Sequence, residues 1–428
     1  MTTTAQPAAR QGEDLAPPPP TTLDFDIYLV LAVFALLAFG LLMVYSTTFD
    51  WSYLDFGSPL RIFLKQVRSV VIGLGGLVVA WRMDYRILRD RRVAMAIMLV
   101  AIIALATLLI LSRNSGGPQR AFFQGSYQPG EAAKLAVIIY FAAWLASKGD
   151  KLRHFGTGLI PFSLLVGLVG GLIVLQPDLS TAAIIVLTAW TMFFLAGTNI
   201  FQIILAGAGA GFVGWTLSTQ FAYARDRLVA HVAAMQDLTK ASWHVQQAII
   251  AFTAPGSRIG GSFSPNWFGT GLGQSRQKFG FLPAAHTDSI FAIIGEELGL
   301  FGCFVVIALY GLFVWRGFKI AREAPERFGA LLSSGVTAWI AYEALLNIAV
   351  VTAVVPFTGV TLPFISYGGS SMVVALTGVG LLMNVSRRQR MVSLERGEAR
   401  PDYELALRGD TTQTGRRQRI ERVGRRRE

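Results

Sequence analysis

Ten apolar stretches punctuate this 428-residue chain. A bilayer-crossing helix needs about 20 mainly apolar residues. Such stretches fall at Ile27–Tyr45, Ile62–Trp81, Val93–Leu111, Ala132–Leu145, Leu159–Leu175, Leu179–Leu195, Ile200–Leu217, Ile290–Trp315, Phe328–Val355 and Leu362–Val385. The second is interrupted by Lys65 and Arg68, and the fourth is short and carries Lys134. Lipid offers no partner to backbone N–H and C=O groups, so spanning segments of this length are helices. The expected fold is an all-α polytopic membrane protein of about ten transmembrane helices. Composition agrees, because 15% of residues are charged where a soluble domain has about 25%.

The basic residues set an expected orientation. They gather after the second span (Arg82, Arg86, Arg89, Arg91, Arg92), after the fourth (Lys148, Lys151, Arg153), after the eighth (Arg316, Lys319, Arg322, Arg327) and after Val385. With ten spans all four clusters share one side, which the positive-inside rule makes cytoplasmic. Both termini are then cytoplasmic, and the long loop 218–289 is extracytoplasmic. The net charge of +12 reads as topology and lipid-headgroup contact, not nucleic-acid binding. Residues 1–25 are polar and Pro-rich and read as a disordered tail. Residues 26–386 form the membrane domain, and residues 387–428 read as a basic, solvated tail. The single cysteine, Cys303, excludes an intrachain disulfide and a Cys-based metal site. In the outer loop, Trp243–Thr253 is amphipathic and reads as a helix on the interface or a re-entrant segment.

The polar residues that carry chemistry concentrate between Gly269 and Gly299, GTGLGQSRQKFGFLPAAHTDSIFAIIGEELG. Asp288 stands where the outer loop re-enters the membrane, beside His286 and Thr287. At that depth a carboxylate loses solvation and becomes a proton acceptor. The competing role is an N-cap for the following helix. Ser275 and Lys278 follow three glycines in GTGLG, so backbone N–H groups and an ammonium can meet a phosphate; a flexible hinge is the alternative. Glu296 and Glu297 are intramembrane carboxylates, which face a polar cavity or a cation. Glu131 and Lys134 lie three apart on one helix face and can pair, and Lys134 is also a candidate partner for Glu296 or Glu297. Asp178 marks the turn between the fifth and sixth spans. Arg225 and Arg227 form either a cationic rim for an anionic headgroup or incidental charge. Thr361–Ser371, with Ser366, Gly368 and Gly369, breaks the start of the tenth span, and irregular backbone at that depth lines a cavity or lies buried. His231, His244 and His286 have no metal-ligand spacing.

Seven blocks in this order resemble the SEDS family, the FtsW/RodA/SpoVE group of cell-wall polymerases. They are GLLMVYS (40–46), QPGEAAKLA (128–136), QPDLS (176–180), YARDRL (223–228), GTGLGQSRQK (269–278), LPAAHTDSIFAIIGEELG (282–299) and GVTLPFISYGGSS (359–371). The resemblance implies a ten-span peptidoglycan glycosyltransferase in the bacterial cytoplasmic membrane that polymerises lipid II at the outer face. It implies Asp288 as general base, inversion at the anomeric carbon, and undecaprenyl pyrophosphate as leaving group. Lys278, Arg225 and Arg227 would stabilise that group's charge, with a divalent cation (Mg2+ or Mn2+) as the alternative. Glu131 and Lys134 match the family's polar pair. The implied partners are a class B penicillin-binding protein and other proteins of the division or elongation machinery. The chain departs from the family at Ser289, at Ser180, at Arg120-Ala121, at Glu343 where Gln is usual, and in a longer segment at 253–268. Without the resemblance, a lipid flippase or transporter, or a scaffold, would fit ten spans with an outward polar cavity equally well.

Overall fold

The computed structural model describes residues 25–114, 127–237, 239, 241–253 and 267–395. The tails at 1–24 and 396–428, Arg120-Ala121 and most of the 253–268 segment lie outside the described residues. Among the described residues twelve α-helices follow in order: α1 (Ile27–Phe56), α2 (Arg61–Arg82), α3 (Arg91–Asn114), α4 (Pro129–Lys148), α5 (Leu159–Val174), α6 (Leu179–Leu195), α7 (Ile200–Gln220), α8 (Ala222–Gln236), α9 (Trp243–Thr253), α10 (Ile290–Glu323), α11 (Arg327–Val351) and α12 (Gly369–Glu395). Eight are long and apolar enough to cross a membrane, and α5 and α6 are shorter apolar helices. All ten fall on the expected runs, so the all-α polytopic class holds.

Several helix ends differ from expectation, the largest differences falling on the first and last helices. The first helix continues eleven residues past Tyr45 to Phe56. The last begins at Gly369, because residues 362–368 turn instead of coiling. It then runs on to Glu395, so the start of the basic tail is helical. The amphipathic segment of the outer loop is the helix α9, which packs on α10 and α11. Gly295 permits this: a β-carbon there would stand 2.5 Å from the Phe252 ring.

The core forms where α11 meets α4, α6 and α10, and where α10 meets α1. α7 lies at the rim and buries only Gln202 and Ile203. Asp26 caps α1 through the Leu29 N–H at 3.0 Å. The same carboxylate takes the Arg316 guanidinium from α10, with both groups largely buried. This joins the start of α1 to the far end of α10. Near its middle, at Gly40, α1 lies against the turn before α12: a β-carbon there would lie 2.4 Å from the Phe364 carbonyl oxygen.

The N-termini of α4, α6, α10 and α12 meet at one end of the bundle. Gln128, just before α4, donates its backbone N–H to Ser370 on α12 (3.0 Å) and its side-chain amide to Asp178 (3.4 Å). Asp178 caps α6 through the Thr181 N–H and hydroxyl. Ser180, one of the departures, donates to the Thr358 carbonyl at 2.9 Å and ties α6 to the loop between α11 and α12.

Candidate active site

α10 contains a break, because Gly299 adopts φ 67°, ψ −162° inside the helix. Breaking the ladder frees backbone groups that need other partners. The Glu296 carbonyl accepts from the Thr270 N–H (2.9 Å), that of Glu297 from the Gly271 N–H (3.0 Å), and the Phe301 N–H donates to the Trp267 carbonyl (3.0 Å). The glycine-rich loop is thus shaped to repair this kink, and Gly269 (φ 71°) has no room for a β-carbon against Glu297.

The two glutamate side chains anchor the same loop. Glu296 accepts from the Ser275 hydroxyl and from the N–H groups of Arg276 (2.9 Å) and Gln277 (3.4 Å). Glu297 accepts from Ser46 on α1 (3.0 Å), from the Lys278 ammonium (3.0 Å) and from the Ser275 N–H (3.4 Å). Two expectations are corrected here. Ser275 and Lys278 do not stand free as an anion cradle, because the Lys278 side chain is 5% exposed and committed to Glu297. Lys134 does not pair with Glu296 or Glu297 either. It sits between Glu131 on its own helix (2.8 Å) and Glu343 on α11. The unusual Glu343 supplies a second carboxylate to this buried lysine.

The His-Thr-Asp corner stands directly before α10. Its three successive carbonyls are each held, two from the segment between α11 and α12 and the third from α11 itself. The His286 carbonyl accepts from the Tyr367 N–H (2.9 Å), the Thr287 carbonyl from the Ser366 hydroxyl, and the Asp288 carbonyl from the Asn347 amide (2.7 Å). Gln66 on α2 grips that segment from below, through the Ser366 carbonyl (3.3 Å) and the Gly368 N–H (3.2 Å). Ala284 (φ 52°) and Phe364 (φ 66°) are non-glycine residues in left-handed conformation on either side of the corner. Such backbone persists where its surroundings over-determine it.

Asp288 does not cap α10. Ser289 occupies the N-cap position and makes no side-chain capping bond. The Asp288 carboxylate accepts from the Thr287 hydroxyl at 3.1 Å. Burial raises its pKa, while the Thr287 bond and the charges of His244 and Arg227 pull it back down. Those two residues come from α9 and α8. His244 stacks on Phe357 with ring centres 4.5 Å apart, and the Arg227 guanidinium lies 5.8 Å from the same ring. Arg225 is exposed. The His286 ring lies between a tilted Trp51 ring (4.7 Å) and an edge-on Tyr367 ring (5.5 Å), and burial pushes its pKa down to about 4, so it is neutral at pH 7. Burial also lowers the His244 pKa, against the Asp288 charge.

The structure thus brings Asp288, Thr287, His286, Arg227, Ser366 and Gly368 to one end of the bundle. Glu131 and Lys134 form a separate buried cluster with Glu343. Sequence reasoning missed Asn347, Gln66, Tyr367 and Phe357 and gave His244 no role beyond metal spacing. Two of these carried a signal, since Gln66 and Asn347 are uncharged polar residues inside apolar runs. No three His, Cys, Asp or Glu side chains converge as a metal-ligand set among the described residues. The charge of Arg227 near Asp288 works against a resident Mg2+ or Mn2+ at that carboxylate.

Comparison with known proteins gives concordant matches. The FtsW/RodA/SpoVE family, described as "Cell cycle protein", matches residues 27–391. A "Probable peptidoglycan glycosyltransferase FtsW" of Trichlorobacter lovleyi is 34% identical across 88% of this chain and 97% of its own. The protein of that name in Bacillus subtilis is 37% identical across 85% and 90%. A solved peptidoglycan synthase complex, described as coordinating polymerization and crosslinking, contains a chain of the same fold. The TM-score is 0.68 at 26% identity, over 86% of this chain and 99% of that one.

Proposed function

The chain belongs to the FtsW/RodA/SpoVE family of cell cycle proteins, and on that premise we propose that it is a peptidoglycan glycosyltransferase. It polymerises lipid II at the outer face of the bacterial cytoplasmic membrane. The observation that carries this reading is the clamped corner: a carboxylate of raised pKa on a backbone held at three consecutive carbonyls.

Asp288 accepts the proton of the acceptor sugar's 4-hydroxyl. The freed oxygen pair attacks the anomeric carbon of the donor as the bond to undecaprenyl pyrophosphate breaks, with inversion. A base held rigidly in a partly desolvated site loses little to reorganisation. The departing pyrophosphate carries charge, and the positive ends of α4, α6, α10 and α12 converge at this end of the bundle. Arg227 and the exposed Arg225 add cationic charge there. Neutral His286 and the Thr287 hydroxyl line the approach to the carboxylate. A class B penicillin-binding protein that crosslinks the new strand is the proposed partner, supported by the resemblance to a chain of a synthase complex. The FtsW name of the 34% and 37% identical relatives supports a role in division.

The test is polymerisation of lipid II by purified protein, alone and with its transpeptidase. Wild type should produce glycan chains and Asp288→Ala should not. Polymer from Asp288→Ala would remove Asp288 as base. Lipid II crossing liposomes without being joined would replace the reading by a flippase.

A further inference from the structure

Asn347 sits in α11 at 1% exposure, one helical turn from Glu343. Both of its reaches are to backbone. Its amide nitrogen donates to the Asp288 carbonyl at 2.7 Å and to the Val360 carbonyl at 2.6 Å. Val360 follows Gly359, the residue whose β-carbon position lies 3.4 Å from the Asp288 Oδ2. One side chain therefore ties together the corner that carries the carboxylate and the backbone that forms its opposite wall.

We propose that Asn347 is the positioning residue for Asp288 in this site, fixing the carboxylate's height and its spacing from the Gly359 wall through two carbonyl bonds from a single amide nitrogen. The proposal rests on the reading of Asp288 as the base of a polymerase. Its side-chain oxygen supports a role beyond packing. That atom is buried with no hydrogen-bond partner, and an orphaned buried polar atom carries a desolvation cost. An apolar residue of similar volume would avoid that cost, so what the position requires is the pair of N–H donors. Leu satisfies the volume and offers no donor. Asp keeps the shape and turns an oxygen toward two carbonyl oxygens.

The consequence is specific to the chemical step. A displaced base still allows lipid II to bind, but proton transfer is misaligned. Misplacement of a reacting group by about 1 Å costs on the order of 100-fold. Asp288 also gains solvent as its corner loosens. The groups acting on it remain the Thr287 hydroxyl, His244 from α9 and Arg227 from α8. Desolvation, the dominant raising cause, weakens, so the acid limb of the rate profile moves to lower pH. A purely structural defect lowers the rate equally at all pH values.

Asn347→Leu and Asn347→Asp are compared with wild type and Asp288→Asn in full-length protein. The readouts are turnover and KM for lipid II, the pH–rate profile, and the thermal midpoint in detergent. Turnover should fall about 10- to 100-fold, with KM within about twofold of wild type and the acid limb displaced downward. Asn347→Leu carries the test if the buried carboxylate of Asn347→Asp prevents folding. Either Asn347 variant at wild-type turnover, with Asp288→Asn inactive, overturns this proposal alone. So does a loss that is uniform across pH and tracks the fraction of folded protein. A wild type that makes no polymer, or an active Asp288→Asn, removes the polymerase reading and the proposal with it.

Discussion

Asp288 is held between opposing influences, and its chemistry follows from their balance. Burial raises its pKa, while Thr287, His244 and Arg227 lower it. A base must be ionised, so activity rises with pH through a value above that of an ordinary aspartate. Removing a cation that lowers this pKa moves the limb up: Arg227→Ala should shift it to higher pH in a polymerisation rate profile, and Arg225→Ala should leave its position unchanged. Stability runs the other way. Where the folded pKa lies above the unfolded one, the native state holds the extra proton, so stability falls as pH rises through that window. Asp288→Asn should therefore abolish turnover and raise the thermal midpoint at neutral pH, as expected of a site that trades stability for function. Asp288 was legible in the sequence because a carboxylate at a membrane-entry corner is costly. Its supports were less so. Tyr367 and the three carbonyls of the corner act through backbone atoms, and side-chain identity does not record backbone bonds.

Among elements, α10 shows how a break is made into a device. Gly299 interrupts the helix, the loop from Trp267 to Lys278 repairs it, and Glu296 and Glu297 fasten the loop by side chain as well. Lys278 belongs to this fastening. Removing one partner of a buried ion pair costs about 3–5 kcal/mol because the other charge is left uncompensated. Lys278→Ala should lower the thermal midpoint accordingly, and adding Glu297→Gln should recover part of the loss; a double-mutant cycle by thermal denaturation measures the coupling. A drop in turnover with an unchanged midpoint would instead mark the lysine as a substrate contact. The apolar periods gave these helices away, but the kink did not announce itself. A glycine inside an apolar run reads equally as a packing contact, and Gly295 four residues earlier is one. The pairing of Lys134 was likewise out of reach, because Glu131, Glu296, Glu297 and Glu343 are equally plausible partners until the helices are placed.

For the whole membrane domain, the polarity of the described ion pairs divides the bundle into levels. Arg316 and Asp26 close one end, Lys134 with Glu131 and Glu343 forms a buried cluster, and the clamped corner sits at the other end. Arg316 also lies 5.1 Å from the Tyr28 ring and 5.3 Å from that of Trp315. Arg316→Ala leaves Asp26 buried and unpaired, so a loss of about 3 kcal/mol or more should appear as a lower denaturation midpoint, with the partial activity of the remaining folded protein keeping its pH profile. α1 then serves as a ruler. Asp26 stands at its start, and its Trp51 packs against His286, two residues from the base. The 25 residue steps between them span about 37 Å at about 1.5 Å each, against a hydrocarbon slab of about 30 Å. With α1 along the bilayer normal and Asp26 at one hydrocarbon boundary, the carboxylate would stand several ångströms beyond the acyl chains, near the lipid phosphates. A polyprenyl-anchored substrate of the proposed reaction would then present its pyrophosphate and first sugar at that height without being lifted out of the bilayer.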